Sequence, residues 1–191
     1  MAKNGVLTII IDMQNDFVTG SLHNKYAAAI IPNMINFIKE SEARGEVVVF
    51  TQDTHQQGYL MTNEGRHLKV PHCIQGTEGH KVVKELLEAS RNGFLVTKPS
   101  FGMTQERWKE VIYEHFYYGL ADISRINIVG TCTDICVVSN ALILKSLLPE
   151  IDIYVYEDLC AGTDPKNHEA ALTTMRMCQI NVAKYYEGSN E

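Results

Sequence analysis

The segment GTCTDICVVSN, residues 130–140, sets Cys132 and Cys136 four positions apart where an apolar run breaks into a Thr/Asp turn. Two thiols spaced this way can be a redox pair, half of a metal clamp, or one nucleophile with a neighbour. Redox pairs usually show the tighter CxxC spacing. A zinc clamp needs a second ligand pair at similar spacing, and none follows. A nucleophile needs a lowered thiol pKa, which a helix N-terminus and a nearby cation supply. Cys136 falls in the first turn of the helical stretch DICVVSNALILKSLL, while Asp12 and Lys98 end two other apolar runs. The Lys98 ammonium would favour a thiolate, and Asp12 would act as general base. Backbone N–H groups of the tight turn would face a developing oxyanion. The competing reading makes both cysteines small buried apolar residues.

A second constellation lies in residues 53–79, DTHQQGYLMTNEGRHLKVPHCIQGTEG, a long polar segment with little periodicity. Loops of that length inside a compact domain are usually functional or disordered. Asp53-x-His55 offers an oxygen and an imidazole, and Glu64 and His72 are placed to return and complete a mixed N/O set. Such a set suits a divalent transition metal, zinc above all, with iron or manganese as alternatives and room for water. His67 competes with Glu64 for the third place, and a solvated polar loop is the plain alternative. His80, His115 and His168 read as surface or packing histidines.

The elements that must position these groups alternate. Residues 5–11, 46–52, 93–98, 125–130, 152–157 and 180–186 read as strands, several apolar without clean alternation, as in a parallel sheet covered on both faces. Helical periodicity fills 26–45, 80–93, 103–119, 136–149 and 165–179, with Gly45, Gly93 and Gly119 as stops for the first three. Pro32 marks either a kink in the first helix or its true start. The alternation predicts one domain over 1–191: a three-layer α/β/α fold with a six-stranded, mainly parallel sheet. In such sheets ligands bind at the carboxyl ends of the strands, where Asp12, Asp53, Lys98 and the 130–136 turn fall. No GxGxxG follows the first strand and no P-loop motif occurs, which argues against dinucleotide and nucleotide binding.

Composition narrows the partners. The 191 residues are 45% hydrophobic and 21% charged, with a net charge of −6 and no long Lys/Arg block. Nucleic acid and anionic membrane are therefore not expected. No apolar run reaches the roughly 18 residues of a membrane span. The N-terminal segment, with an acidic residue inside its apolar run, is a poor signal peptide. Five widely spread cysteines fit free thiols in a reducing cytoplasm.

Three ordered segments carry a family resemblance. IIDMQNDF (10–17), TKPSFG (97–102) and GTCTDICV (130–137) resemble the signatures of the isochorismatase-like cysteine hydrolases, and the similarity runs from about residue 5 to 185. The resemblance implies an Asp–Lys–Cys triad at Asp12, Lys98 and Cys136. It also implies oxyanion donors at the Cys132 and Cys136 amides and a non-proline cis peptide between Cys132 and Thr133. Isochorismatases proper lack this cysteine, so its presence points to the amidases. PHCIQGT (71–77) after Asp53-x-His55 resembles the nicotinamidase metal site, which implies Asp53, His55, Glu64 and His72 as ligands, with His67 as the rival.

The implied reaction is hydrolysis of nicotinamide to nicotinate and ammonia, a step of NAD salvage, by a cytoplasmic homo-oligomer. One departure stands out. Lys69 occupies the place, three before the metal-ligating His, of an aromatic that stacks on the substrate ring. Phe17, Tyr59 and Phe101 are the remaining candidate walls, with Lys69 as a possible partner for a carboxylate. Two alternatives follow: a hydrolase of N-carbamoyl (ureido) compounds, and a metal-hydroxide hydrolase with Cys136 structural.

Overall fold

The structure, a computed structural model, describes residues 5–186. Six strands, β1 (Val6–Ile11), β2 (Val47–Asp53), β3 (Phe94–Lys98), β4 (Arg125–Thr131), β5 (Asp152–Ala161) and β6 (Asn181–Ala183), form one sheet in the order β3-β2-β1-β4-β5-β6. Every pairing is parallel. The expected mainly parallel sheet is thus wholly so. β1 to β3 proceed outward in one direction and β4 to β6 in the other, which puts the topological switch between β1 and β4.

The helices are α1 (Asn15–Val18), α2 (Lys25–Ala43), α3 (Asn63–His67), α4 (Lys84–Ala89), α5 (Gln105–His115), α6 (Val138–Leu147) and α7 (Pro165–Met177). They split between the two sheet faces. Trp108, Val111, Ala141, Leu144, Leu172 and Met175 of α5, α6 and α7 pack on Leu7, Ile9, Ile126 and Ile128. Met34, Phe37, Ile38 and Leu86 of α2 and α4 pack on Ile10, Phe50 and Val129. Successive strand residues point to opposite faces, so alternate residues of β1 feed different cores. Both cores are closed, which is why the strand runs carry no polar face.

The boundaries that differ from the sequence reading have local causes. Asn24 caps α2 through its side chain, which accepts from the N–H groups of Tyr26 and Ala27. Pro32 therefore lies inside the helix and does not begin it. Gly45, in the left-handed region at φ 78°, ends α2 as expected. Gly119 does not end α5: Phe116 leaves the helix first, extended at φ −119°, to bury its ring. α4 is short because Val82 bridges to Gln14 and the Val83 N–H donates to the Met13 carbonyl. β5 runs on to Ala161 through a register shift opposite Gly130. At φ 123°, with any Cβ falling 2.2 Å from the Ile11 carbonyl oxygen, Gly130 lets β4 and β1 approach without a side chain between them.

Candidate active site

Three strands deliver three side chains to one buried point. Asp12 follows β1, Lys98 ends β3, and Cys136 lies in the irregular turn after β4; all are almost wholly buried. Lys98 Nζ is 2.6 Å from Asp12 Oδ2 and 3.5 Å from Cys136 Sγ, and it donates to the Ser100 carbonyl at 3.1 Å. Asp12 sits at φ 47°, a conformation an Asp tolerates better than most residues. Thr51, on β2, holds it there: its hydroxyl donates to Asp12 Oδ1 at 2.6 Å and accepts from the Asp12 N–H at 3.1 Å.

The turn over Thr133–Val137 is π-helical and leads straight into α6, an irregularity often found at functional sites. Ile135 and Val137 both donate N–H to the Cys132 carbonyl. The non-proline cis bond is Thr131–Cys132, one residue before the expected Cys132–Thr133 bond. Thr131 still pairs with Ala161 in the sheet, so the chain must reverse directly at the strand end, and Cys132 already forms the N-cap of the turn.

The electrostatics differ from the simple expectation of a standing thiolate. Burial pushes the Cys136 thiol well above the ordinary cysteine range, and the Asp12 charge adds to this against the opposing pull of Lys98. Burial also raises Asp12, with Lys98 counteracting. Lys98 is enclosed too, but Asp12, Cys136 and Asp53 around it outweigh burial and hold its ammonium charged. Burial thus favours the neutral thiol at Cys136 and a more basic carboxyl at Asp12, with the Lys98 ammonium between them. A cation and a helical turn do not suffice here because the thiol is enclosed and a carboxylate faces it.

The second constellation also closes. Asp53, His55, Glu64 and His72 bring one ligand atom each within 4.8 Å of one another. His55 Nε2 lies 2.9 Å from Asp53 Oδ2 and 3.5 Å from Glu64 Oε1, and His72 Nε2 lies 3.4 Å and 3.6 Å from the same two atoms. Apart from its close approach to Asp53 Oδ2, the buried Nε2 of His55 meets no aligned hydrogen-bond partner, and it points at the carboxylates with which it would share an ion. His72 Nδ1 faces the Val70 carbonyl at 2.9 Å, which places its proton there and leaves Nε2 free to ligate. The residues present fit a divalent metal.

Glu64 arrives on α3, a short helix inside the segment read as a plain loop. Thr62 caps it through the Gly65 N–H, and Gly65 packs where a Cβ would meet the Tyr59 carbonyl at 2.1 Å. Five residues are too few to show periodicity. His67 is turned away, exposed, with Nδ1 on the Asn63 carbonyl.

Two residues that sequence reasoning assigned no role tie this centre together. Gln14 accepts from the Asp53 N–H at 2.7 Å and donates to the carbonyls of Asp53 and His80. Asp16 Oδ2 accepts from the Cys73 N–H at 2.7 Å, next to His72. Both stand in the quoted IIDMQNDF segment, which was their only signal.

Cys136 and the metal-type group share a cavity of about 570 Å3. Its apolar walls include Phe17, Leu22, Leu68, Phe101 and Ile135, and Asn24, Lys25, Tyr26 and Thr163 stand among its remaining lining. Two expected walls are elsewhere. Tyr59 is buried behind the group, its ring centroid 4.8 Å from that of His55 and 5.0 Å from that of His72. Lys69 is exposed and does not line the cavity, because in this extended stretch Leu68 turns inward. Of the lone histidines, His80 pairs with Thr54, His115 stacks on Phe94, and His168 meets the Thr133 hydroxyl at 2.9 Å.

Comparisons with known proteins bear on the family and the fold. The chain is 29% identical over 174 residues to an uncharacterized isochorismatase family protein, PncA, of Bacillus subtilis, covering 86% of this chain and 91% of that one. The fold is similar to the crystal structure of a nicotinamidase PncA from Bacillus subtilis, at TM-score 0.77 and 24% identity over 94% and 99% of the two chains. It is equally similar to a pyrazinamidase of Pyrococcus horikoshii in complex with zinc, at TM-score 0.77 and 23% identity over 95% and 99%. Since the isochorismatase domain model spans residues 6–184, taking in every strand end described above, this chain belongs to the isochorismatase family.

Proposed function

We propose that the protein is a metal-containing cysteine amidohydrolase that converts nicotinamide to nicotinate and ammonia. One observation carries the reading: Cys136, in buried contact with Lys98 and through it with Asp12, lines the same cavity as Asp53, Glu64 and His72 of the four-residue metal-type group. As Cys136 Sγ attacks the carboxamide carbon, its proton passes to Asp12, which burial has already made a better base. The Cys132 and Cys136 amides receive the oxyanion. Asp12 returns the proton to nitrogen, ammonia leaves, and a thioester remains. Water attacks that thioester with Asp12 again as base, releasing the acid and the neutral thiol. Lys98 stays charged throughout and offsets the negative charge moving between Asp12 and sulfur. A bound divalent ion, zinc by its mixed imidazole and carboxylate donors, would supply a ligation point for the pyridine nitrogen.

The ureido alternative rested on Lys69, and that argument lapses with Lys69 in solvent. The reading in which Cys136 is structural does not explain why a lysine and an aspartate are buried against its sulfur. The test is ammonia release from nicotinamide, pyrazinamide and benzamide, with mass spectrometry for a nicotinoyl thioester on Cys136. Cys136→Ala should lower turnover by about four orders of magnitude without unfolding the protein. Retained activity in that variant, or equal rates on benzamide, would sink the thiol mechanism or the ring-nitrogen argument respectively.

A further inference from the structure

Resting on that reading, the size and lining of the cavity speak to the substrate class. A single-ring carboxamide has nine non-hydrogen atoms, and even at the liquid volume of water, about 30 Å3 each, it would fill at most about 270 Å3. The cavity holds about 570 Å3. Pockets of this size enclose ligands well beyond one ring. Beyond the thiol and the metal-type group the lining is apolar at Phe17, Leu22, Leu68, Phe101 and Ile135, with the polar side chains of residues 23–26 and Thr163 beside them. Phe101 is 46% exposed and Leu68 38% exposed, so apolar side chains here face the opening as well as the core.

The polar side chains of the remaining lining are unevenly committed. Asn24 is consumed by the α2 cap and by donation to the Gly162 carbonyl, and Thr163 by Asp134. Lys25 makes no ion pair among the described residues and rests over the Tyr26 ring at 5.1 Å. Among the described residues, the carboxylates lining the cavity, Asp53 and Glu64, belong to the metal-type group.

We propose that this cavity takes a ring carboxamide extended by a second apolar group and ending in an anion, with the extension between Leu68 and Phe101 and the anion at Lys25. The carboxamide stays over Cys136 and the extension displaces water from apolar walls, the favourable direction for an apolar surface. Lys25 then determines specificity, not chemistry.

The test compares nicotinamide, a phenyl-substituted nicotinamide and its para-carboxyphenyl counterpart, by ammonia release with the metal-loaded enzyme. The phenyl compound should show kcat/KM about tenfold above nicotinamide, in line with apolar burial, and the acid should be better still. Lys25→Glu should lower kcat/KM for the acid about fivefold and reverse the preference between the two extended compounds. Calorimetry on Cys136→Ala with the same three ligands reads binding without turnover. If no amide is hydrolysed but the acid still binds most tightly, the amidase reading fails and the cavity assignment stands. If nicotinamide is preferred to both extended compounds, or the acid's advantage is indifferent to Lys25→Glu, the proposal is overturned.

Discussion

At the residue scale the site depends on one hydroxyl as much as on its charged groups. Thr51 satisfies Asp12 Oδ1 and the Asp12 N–H together, leaving Oδ2 for Lys98. Thr51→Val should therefore lower kcat about 10- to 100-fold with KM nearly unchanged, because binding survives while the base is misplaced. Thr51→Ser should restore most of the rate, and steady-state kinetics of the pair checks it. A loss of KM with kcat preserved would mean that Thr51 shapes the pocket and not the base. That Asp12, Lys98 and Cys136 would meet was legible because strand ends converge on one edge of this architecture. Their charge states were not, since burial, which raises the Cys136 thiol, is a property of the closed fold and not of a motif. Lys69 failed for a related reason: whether it or Leu68 turns inward is decided by one step of backbone alternation.

At the element scale, short segments are held by side chains that cap backbone groups. Glu42, near the end of α2, accepts from the Ser90 hydroxyl and from the N–H groups of Arg91 and Asn92, fastening the turn before β3. These bonds hold its carboxyl below the usual range even though burial opposes them. A carboxylate depressed in the folded state adds stability that is fully present above its unfolded pKa and is lost as pH falls through the folded value. Glu42→Gln should cost about 1 kcal/mol at neutral pH and progressively less as the solution is acidified below pH 4.5, measured by denaturant unfolding across pH. A cost that does not fall on acidification would show that the charge is irrelevant. Asp16→Ala should instead lower metal content, read by elemental analysis, because the Cys73 N–H beside His72 loses its anchor. Long periodic helices such as α2 and α7 could be read from the sequence, and a helix was expected over the stretch that holds α4, whereas α3 and the short bounds of α4 could not be read. Their few turns are set by Thr62, Gly65 and the bridge from Gln14 to Val82, which are contacts with other segments.

For the whole molecule, the layers and the six-stranded parallel sheet followed from alternating apolar runs and helices, because a parallel sheet closed on both faces leaves a strong pattern; the order of the strands did not. The β4–β1 junction did not. Gly130→Ala would set a Cβ against the Ile11 carbonyl at the centre of the sheet and should cost about 2–4 kcal/mol. Chemical denaturation checks this, and a change under 1 kcal/mol would mean that the two strands can part without loss. A different consequence concerns α3, a five-residue helix that carries Glu64 and the exposed Arg66 and is followed by exposed Lys69. So short a helix has little stability of its own, and its opening is expected at the low end of the stability range. Any ion held partly by Glu64 must be released before α3 can open, and mass action then guards the peptide bonds beside it. At a hundredfold excess over its dissociation constant, a ligand that binds only the closed form suppresses opening by about 2.7 kcal/mol, or roughly a hundredfold. Limited trypsin digestion should therefore cut after Arg66 and Lys69 about a hundred times faster in chelator than in excess zinc, while cleavage elsewhere keeps its pace. The metal would then serve as a lock on the chain's own susceptibility to proteases, independent of any substrate it helps to hold.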